Sequence, residues 1–215
     1  MNHSFIMKYE GLEFVLRKAD VDFRHGLGIV TAVIEMDWGD EVTNETLIGV
    51  VNPNYESVFG FVPLFLFEQF QVLDEEDVVF ITKDHQLYHL KVDQDHIEIF
   101  SLLAYEYEYL GSKILKINDG GSEALFSLET DQLISDHFSH IGSFEYREEY
   151  GCEVAEASVL FSIDEGLVQQ IITYINKEGK VISPYYVANQ KIYCDESMNI
   201  SEVIEFVKSL YGMHR

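Results

Sequence analysis

Residues 113–128 read KILKINDGGSEALFSL, and this stretch decides the fold class of the chain. Two apolar runs, residues 113–117 and 124–128, flank the turn sequence Asn-Asp-Gly-Gly at residues 118–121. Asp-Gly is favoured between antiparallel strands because the tight turn that joins them needs positive φ. The segment therefore predicts a β-hairpin.

Further strands are predicted on both sides of this hairpin. Before it, short β-branched or aromatic runs alternate with polar turns, which is typical of a meander. After it, two apolar runs flank residues 176–179 and predict a second hairpin. The predicted strands are residues 29–36, 47–51, 78–82, 86–92, 96–103, 170–175 and 180–187.

Apolar spacing predicts a first helix from Pro63 to about residue 73. Proline suits the first turn of a helix, and apolar residues such as Phe67 and Phe70 follow at near-helical spacing. The acidic run 74–77 would lie at the negative end of the helix dipole, which is unfavourable. A strand or an irregular apolar loop therefore stays open as the alternative.

Two more helices are predicted in the second half of the chain. Residues 131–141 carry apolar residues at helical spacing, and Gly142 suits the position just past the end of a helix. The last helix has Asn199 as its N-cap, Glu202 three residues later and Gly212 at its end. Its wide apolar stripe consists of Ile200, Val203, Ile204, Val207, Leu210 and Tyr211.

Strands dominate and the helices come late, so the predicted fold class is α+β. We expect mainly antiparallel strands and hairpins with a few helices, including an amphipathic C-terminal helix. No linker rich in Pro, Gly or Ser divides the chain. Residues 1–215 are therefore predicted to form a single α+β domain, and any subdivision is expected near residues 110–122.

The acidic residues are concentrated in two stretches that almost lack cations. Residues 25–82 contain no Lys or Arg against eleven acids, and residues 117–176 contain Arg147 alone against twelve. The formal net charge of the chain is -24. A field of that sign repels nucleic acid and anionic membranes and attracts basic proteins. We therefore predict a basic protein partner, no nucleic acid partner and no membrane partner, and we leave the oligomeric state open.

The N-terminal sequence and the cysteines predict a cytoplasmic location. Residues 1–8 lack a basic start followed by an apolar run, so no signal peptide is expected. The longest apolar stretch, residues 58–67, is far shorter than the roughly 20 residues that a membrane span needs. Cys152 and Cys194 are expected to be reduced thiols, although one bridge between them stays open.

Motifs for catalysis, phosphate binding and metal binding are missing. No serine lies in a Gly-x-Ser-x-Gly elbow, and the glycines near residue 26 precede a strand where a dinucleotide site needs a helix. On a strand, His85 and His89 would lie about 13 Å apart, too far for one metal ion. His137 shares the apolar face of the predicted helix 131–141 with Phe138, so it is expected to be a hydrogen-bonded histidine in the core or at its edge. No catalytic residue, cofactor or metal is therefore predicted.

Tyrosine and glutamate alternate without interruption at residues 105–109. As a strand, this segment places its tyrosines on one face and its glutamates on the other. Tyrosine is enriched at interfaces because its ring contributes apolar area while its hydroxyl still hydrogen-bonds. The alternative is a half-buried strand with its tyrosines on the core. The predicted contact residues here are Tyr105, Glu106, Tyr107, Glu108 and Tyr109.

Two further segments are predicted to contact the partner. Residues 144–150 mix the same residue types, and the contact residues there are Tyr146, Glu148 and Glu149. The loop after residue 36 contains the single Trp of the chain, and its contact residues are Asp37, Trp38, Asp40 and Glu41. A Trp in such a loop can anchor a contact. The alternative is that it folds back as a lid on the core.

Three functional hypotheses follow. The first is an acidic intracellular interaction module, such as an immunity protein or inhibitor that caps a basic nuclease toxin. The second is a carboxylate-dependent hydrolase, and the third is an acidic housekeeping domain with no inhibitory role. In composition alone, being acidic and rich in tyrosine, the chain resembles bacterial immunity proteins; no motif carries this resemblance, and it assigns no residues.

Overall fold

The computed structural model describes residues 5–9, 12–16, 20–24, 26–37, 42–54, 57–74, 77–91, 96–164, 167–187 and 192–212. Most of these residues lie in antiparallel β-strands, and the described part of the chain contains one α-helix, near the C-terminus. The fold is therefore α+β and mainly antiparallel, as the sequence predicts. No helix in the described ranges is long and apolar enough to cross a membrane.

The chain divides into two compact units, Met1–Tyr105 and Glu106–Arg215. The strands described in the first unit are β1 (Phe5–Tyr9), β2 (Leu12–Leu16), β3 (Asp20–Arg24), β4 (Leu27–Asp37), β5 (Val42–Val51), β6 (Ser57–Pro63), β7 (Phe67–Val72), β8 (Asp77–Thr82), β9 (Gln86–Lys91) and β10 (His96–Leu103). Strands β3 to β6 form one antiparallel sheet in sequence order, β7 to β10 form a second, and β1 pairs with β2.

Apolar side chains from both four-stranded sheets of the first unit share one core. Leu27 and Val50 from the first sheet pack with Val78, Phe80 and Leu90 from the second. Their β-branched and aromatic side chains suit a pleated surface that is covered on one face. The strands predicted in this half of the chain correspond to β4, β5, β8, β9 and β10, and residue 92 at the end of one of them lies outside the described residues.

The helix predicted from Pro63 is wrong. A single 3-10 turn, Leu64–Leu66, leads directly into β7. Phe67 lies opposite Thr82 and Gln69 lies opposite Ile81, so a β-bulge inserts one extra residue between them. The bulge brings Phe67 and Phe70 onto Phe80, with ring centroids 5.1 Å and 5.6 Å away. The near-helical spacing therefore results from a bulged strand, which was the open alternative.

The second unit has two sheets and the helix. Its strands are β11 (Glu106–Tyr109), β12 (Ile114–Asn118), β13 (Glu123–Ser127), β14 (Gln132–Leu133), β15 (His140–Ile141), β16 (Glu145–Arg147), β17 (Cys152–Asp164), β18 (Leu167–Asn176), β19 (Tyr185–Val187) and β20 (Ile192–Cys194), and its helix is α1 (Ile200–Gly212). Strands β11 to β14 form one antiparallel sheet in sequence order. The six-stranded sheet has the order β15-β17-β18-β19-β20, and β16 also pairs with β17.

The helix predicted at residues 131–141 is also wrong. Asp131 has a φ of 55°, which does not continue into a helix, and β14 follows it. Phe138 and Glu123 exchange both backbone hydrogen bonds, at 2.8 Å and 2.7 Å, so the segment runs as extended chain beside β13. Gly142 therefore does not follow a helix. Its N–H donates to the carbonyl of Glu156 at 2.8 Å.

Helix α1 begins with the predicted cap. The N–H of Glu202 donates to Asn199 Oδ1 at 3.0 Å, and the N–H of Asn199 donates to Glu202 Oε2 at 2.9 Å. These reciprocal bonds satisfy donors that the first turn leaves without a partner inside the helix. Ile200, Val203 and Val207 are buried against one face of the six-stranded sheet. The helix therefore covers that face.

Candidate functional site

Strand β11 carries most of the alternating tyrosine–glutamate segment. Glu106 and Glu108 are exposed, Tyr107 is 4% exposed, and Tyr109 is half-buried. Burial raises the pKa of the Tyr107 phenol well above its usual range. Tyr105 precedes the strand, is 48% exposed and stacks on the His85 ring, with 3.9 Å between centroids. The outward surface of β11 is therefore acidic, and Tyr107 belongs to the core.

A small cavity of about 110 Å³ opens beside β11. Lys116 Nζ lies 2.8 Å from Glu108 Oε2, and Glu123 accepts a hydrogen bond from the N–H of Ile141 at 2.5 Å. His140 Nδ1 lies 3.1 Å from the same Glu123 carboxylate. Ligand sites for small organic molecules usually exceed about 300 Å³. This cavity has room for only a few water molecules, and Lys116, Glu108 and Glu123 in its wall already have partners in the chain.

A serine, a histidine and an aspartate meet at the turn between β12 and β13. Ser122 Oγ donates to Asp119 Oδ2 at 2.8 Å and lies 3.1 Å from His137 Nδ1, which is itself 3.4 Å from Asp119 Oδ2. A catalytic triad needs the serine and the acid on opposite ring nitrogens. Here both contact Nδ1, so the histidine cannot relay a proton between them.

Hydrogen bonding within this turn also stabilises the charged form of Asp119. Burial alone would raise the pKa of Asp119, but hydrogen bonds from Ser122 and Gly121, together with nearby His137, lower it overall. The pKa values of Glu68 and Asp195 are lowered as well. A general acid needs a pKa that is raised toward neutral pH, and the pKa values of these three carboxyl groups are lowered instead.

The second predicted contact segment forms β16 and the turn after it. Tyr146 is 65% exposed, and Glu148 and Glu149 are exposed in the turn. Arg147 lies over the Tyr174 ring, 4.4 Å from its centroid, and its Nη1 is 3.7 Å from Glu149 Oε1. A guanidinium therefore already stacks on a tyrosine of β18 and pairs with one of the predicted acids.

The third predicted segment is described only at its first residue. Asp37 is the last residue of β4, and Trp38, Asp40 and Glu41 lie outside the described residues. Among the sites that the structure does describe, β11 and β16 belong to different sheets of the second unit.

The described residues contain no group of three or more His, Cys, Asp or Glu that could hold a metal ion. His89 is buried beside Asp77, with 2.6 Å between Nε2 and Oδ1. Cys152 and Cys194 are both free thiols. Burial raises the pKa of Cys194, which keeps the thiol protonated and unreactive.

The outer face of the six-stranded sheet carries large apolar side chains that sequence reasoning missed. Cross-strand register places Ile172 opposite Tyr186 and Tyr186 opposite Tyr193, so these three side chains lie on one face. Tyr193 is 72% exposed and Leu160 is 57% exposed. We call this surface the tyrosine face; it consists of Leu160, Val168, Ile172, Tyr174, Tyr186 and Tyr193.

A signal for this surface exists in the sequence of β18. Apolar residues occupy both odd and even positions of this strand, so both of its faces carry them; they are Ile171, Ile172, Tyr174 and Ile175. Ile171 and Ile175 are buried, while Ile172 and Tyr174 are half-buried on the outer face. The sequence does not indicate which face the helix covers.

No protein-family model and no curated protein sequence matches this chain.

Proposed function

We propose that this protein is an acidic intracellular interaction module that binds a basic protein, as an immunity protein or an inhibitor of a nuclease toxin would. One observation carries the proposal: cationic side chains are engaged by acids of the same chain, while a large excess of acids remains. Among the described residues, the cations that lie within 4.0 Å of a carboxylate include Arg24, Lys83, Lys116, Arg147, Lys177 and Lys208.

The excess acids have no cation of the same chain to neutralise them. The chain has 38 acidic and 14 basic residues, so one-to-one pairing would still leave a charge of -24. Exposed acids of the second unit include Glu106, Glu145, Glu148, Glu156, Glu178 and Glu196. A surface of this charge speeds the encounter with a basic protein and slows the encounter with polyanions.

Association kinetics test the proposal. A basic protein recovered by low-salt capture from the lysate of the source organism would be purified and mixed with this chain at increasing ionic strength. We expect the association rate constant to fall steeply with salt, because screening shortens the range of the attraction. A rate constant that stays the same at every ionic strength would contradict the proposal.

Charge reversal gives the matched comparison. The double variant Glu148→Lys/Glu149→Lys should slow association at low salt by more than twice as much as Glu205→Lys does. Glu205 is the comparison because it lies on α1, the helix that covers the face of the six-stranded sheet opposite the tyrosine face. The three side chains are all exposed, so folding should be preserved. Equal effects per charge would show that the field attracts basic proteins without a preferred face.

A further inference from the structure

Building on the proposed function, we propose that the tyrosine face is the docking surface and that it receives arginine side chains of the basic partner. The face belongs to strands β17 to β20 and extends over β15. Its other side packs on α1 and on the sheet of β11 to β14. Leu160 and Tyr193 on this side are exposed.

The register of the sheet aligns one row of side chains across the whole face. His140 lies opposite Ser158, Ser158 opposite Ile172, Ile172 opposite Tyr186, and Tyr186 opposite Tyr193. Five strands at about 4.8 Å spacing give a width of about 19 Å. A side chain every second residue from 156 to 162 gives a length of about 20 Å. Only β17 and β18 reach that length, because β15 has two residues and β19 and β20 have three each. The surface therefore covers about 300 Å², over a third of one side of a standard protein interface.

Three strands each place a large exposed apolar side chain on this face. Leu160 is 57% exposed, Val168 is 52% exposed and Tyr193 is 72% exposed. Glu156, Ser158 and Gln170 lie among these apolar groups on the same face. A mixture of apolar and polar groups is typical of interfaces between proteins that also exist apart. Tyrosine adds a hydrogen-bonding hydroxyl to each ring, so the surface suits a partner that carries both apolar and polar groups.

The contact of Arg147 shows which kind of group stacks on the tyrosine rings of this face. Its guanidinium stacks on Tyr174 at 4.4 Å, and the Tyr186 and Tyr193 rings lie 5.2 Å apart on the same face. A guanidinium binds a tyrosine ring through its face and forms forked hydrogen bonds with carboxylates, which an ammonium does less well. The partner's arginines can therefore use the same mode that the chain uses internally.

Carboxylates lie on the same face to complete the contact. Glu156 lies opposite Tyr174, and Glu145 lies opposite Val154, two residues from Glu156 along β17. Both glutamates are exposed. This complementarity favours a basic occupant, and the net charge of -24 opposes a second copy of the same chain.

Labelled peptides of defined charge test the docking surface. Two fluorescent twelve-residue peptides, one with six arginines and one with six lysines in an otherwise identical sequence, would be titrated with the full chain at about 0.15 M salt. We expect the arginine peptide to bind about two- to fivefold more tightly, since one exposed cation–π contact is worth about that ratio. The ratio of the two dissociation constants is the quantity measured.

Substitutions then locate the preference. Tyr193→Ser and Tyr193→Lys should each bring the ratio close to one, whereas Tyr193→Phe should keep it because the ring face remains. Tyr146→Ser is the matched control: Tyr146 is 65% exposed but lies opposite Glu153, on the other side of the same sheet. Leu160→Ser removes an exposed side chain from the face and supplies a second, independent variant.

The outcomes separate this inference from the proposed function. If both peptides bind equally and the tyrosine variants change nothing, the docking surface is wrong while a basic partner stands. If Tyr146→Ser abolishes the preference and Tyr193→Ser does not, the surface is again wrong. If neither peptide binds even at low salt, both proposals fail. Self-association that Tyr193→Lys abolishes, seen by sedimentation, would mean that a second copy occupies the face.

Discussion

His89 Nε2 lies 2.6 Å from Asp77 Oδ1, and both side chains are buried in the first unit. Removal of one member of a buried hydrogen-bonded pair deprives the other of that bond, which typically costs about 1–3 kcal/mol. We therefore expect Asp77→Ala or His89→Ala to lower the free energy of unfolding by about 1–3 kcal/mol in urea denaturation. The exposed pair of Glu205 and Lys208 is the control, and Glu205→Ala should leave the midpoint nearly unchanged.

Gly179 has a φ of 76°, and a Cβ there would overlap the carbonyl group of Ile134. Gly179→Ala should therefore add a steric clash to the strain of a left-handed backbone. Gly111 has a φ of 81° with open space around it, so Gly111→Ala measures the strain alone, about 1–2 kcal/mol. Thermal denaturation should show the larger loss for Gly179→Ala. Equal losses would mean that residues 134–135 move away without cost.

The capping of α1 makes a third prediction. Asn199→Ala removes the acceptor for the N–H of Glu202 and should cost about 1 kcal/mol of stability. Ser201→Ala, in the same exposed first turn, is the matched control and should be neutral or slightly stabilising because alanine favours helices. Urea midpoints of the two variants that coincide would argue against a contribution of the cap.

The buried hydroxyl of Tyr185 should make the protein less stable at high pH. Its hydroxyl is buried without a hydrogen-bond partner in the described residues, and burial first, then Asp136 and Glu202, raises its pKa to about 12 from 10.0. The unfolded chain therefore loses this proton first, so stability falls as pH rises from about 10 to about 12. Tyr185→Phe should be more stable by about 1 kcal/mol at neutral pH, and its advantage should widen above pH 10. A constant difference across that range would exclude this contribution.

The sequence predicts elements where local signals agree with the tertiary contacts. The β-branched residues within β4 and the cap at Asn199 are local features, and both are found in the structure. The helix predictions for residues 63–73 and 131–141 are wrong for a physical reason. In the first segment a β-bulge in β7 places the apolar residues on one side, and in the second Phe138 pairs with Glu123 through backbone hydrogen bonds. Apolar residues at helical spacing predict neither feature.

Strand β17 and the tyrosine face show what the sequence leaves open. Alternation along β17 is masked by Ala155, Ala157 and Ser158, small residues that carry little periodic signal. Ile172 and Tyr174 are visible as apolar residues in the sequence, but their exposure depends on which side of the sheet α1 covers. The acidic character, in contrast, follows from composition alone, and it carries the proposed function.

The most direct measurement is low-salt capture with two baits, the wild-type chain and Tyr193→Lys, eluted by a salt step and identified by mass spectrometry. We predict one basic protein at near-equal amounts with the wild-type bait, and its loss with Tyr193→Lys. A mixture of unrelated basic proteins on both baits, or nothing on either, would contradict the account, because the charge would then serve no specific partner.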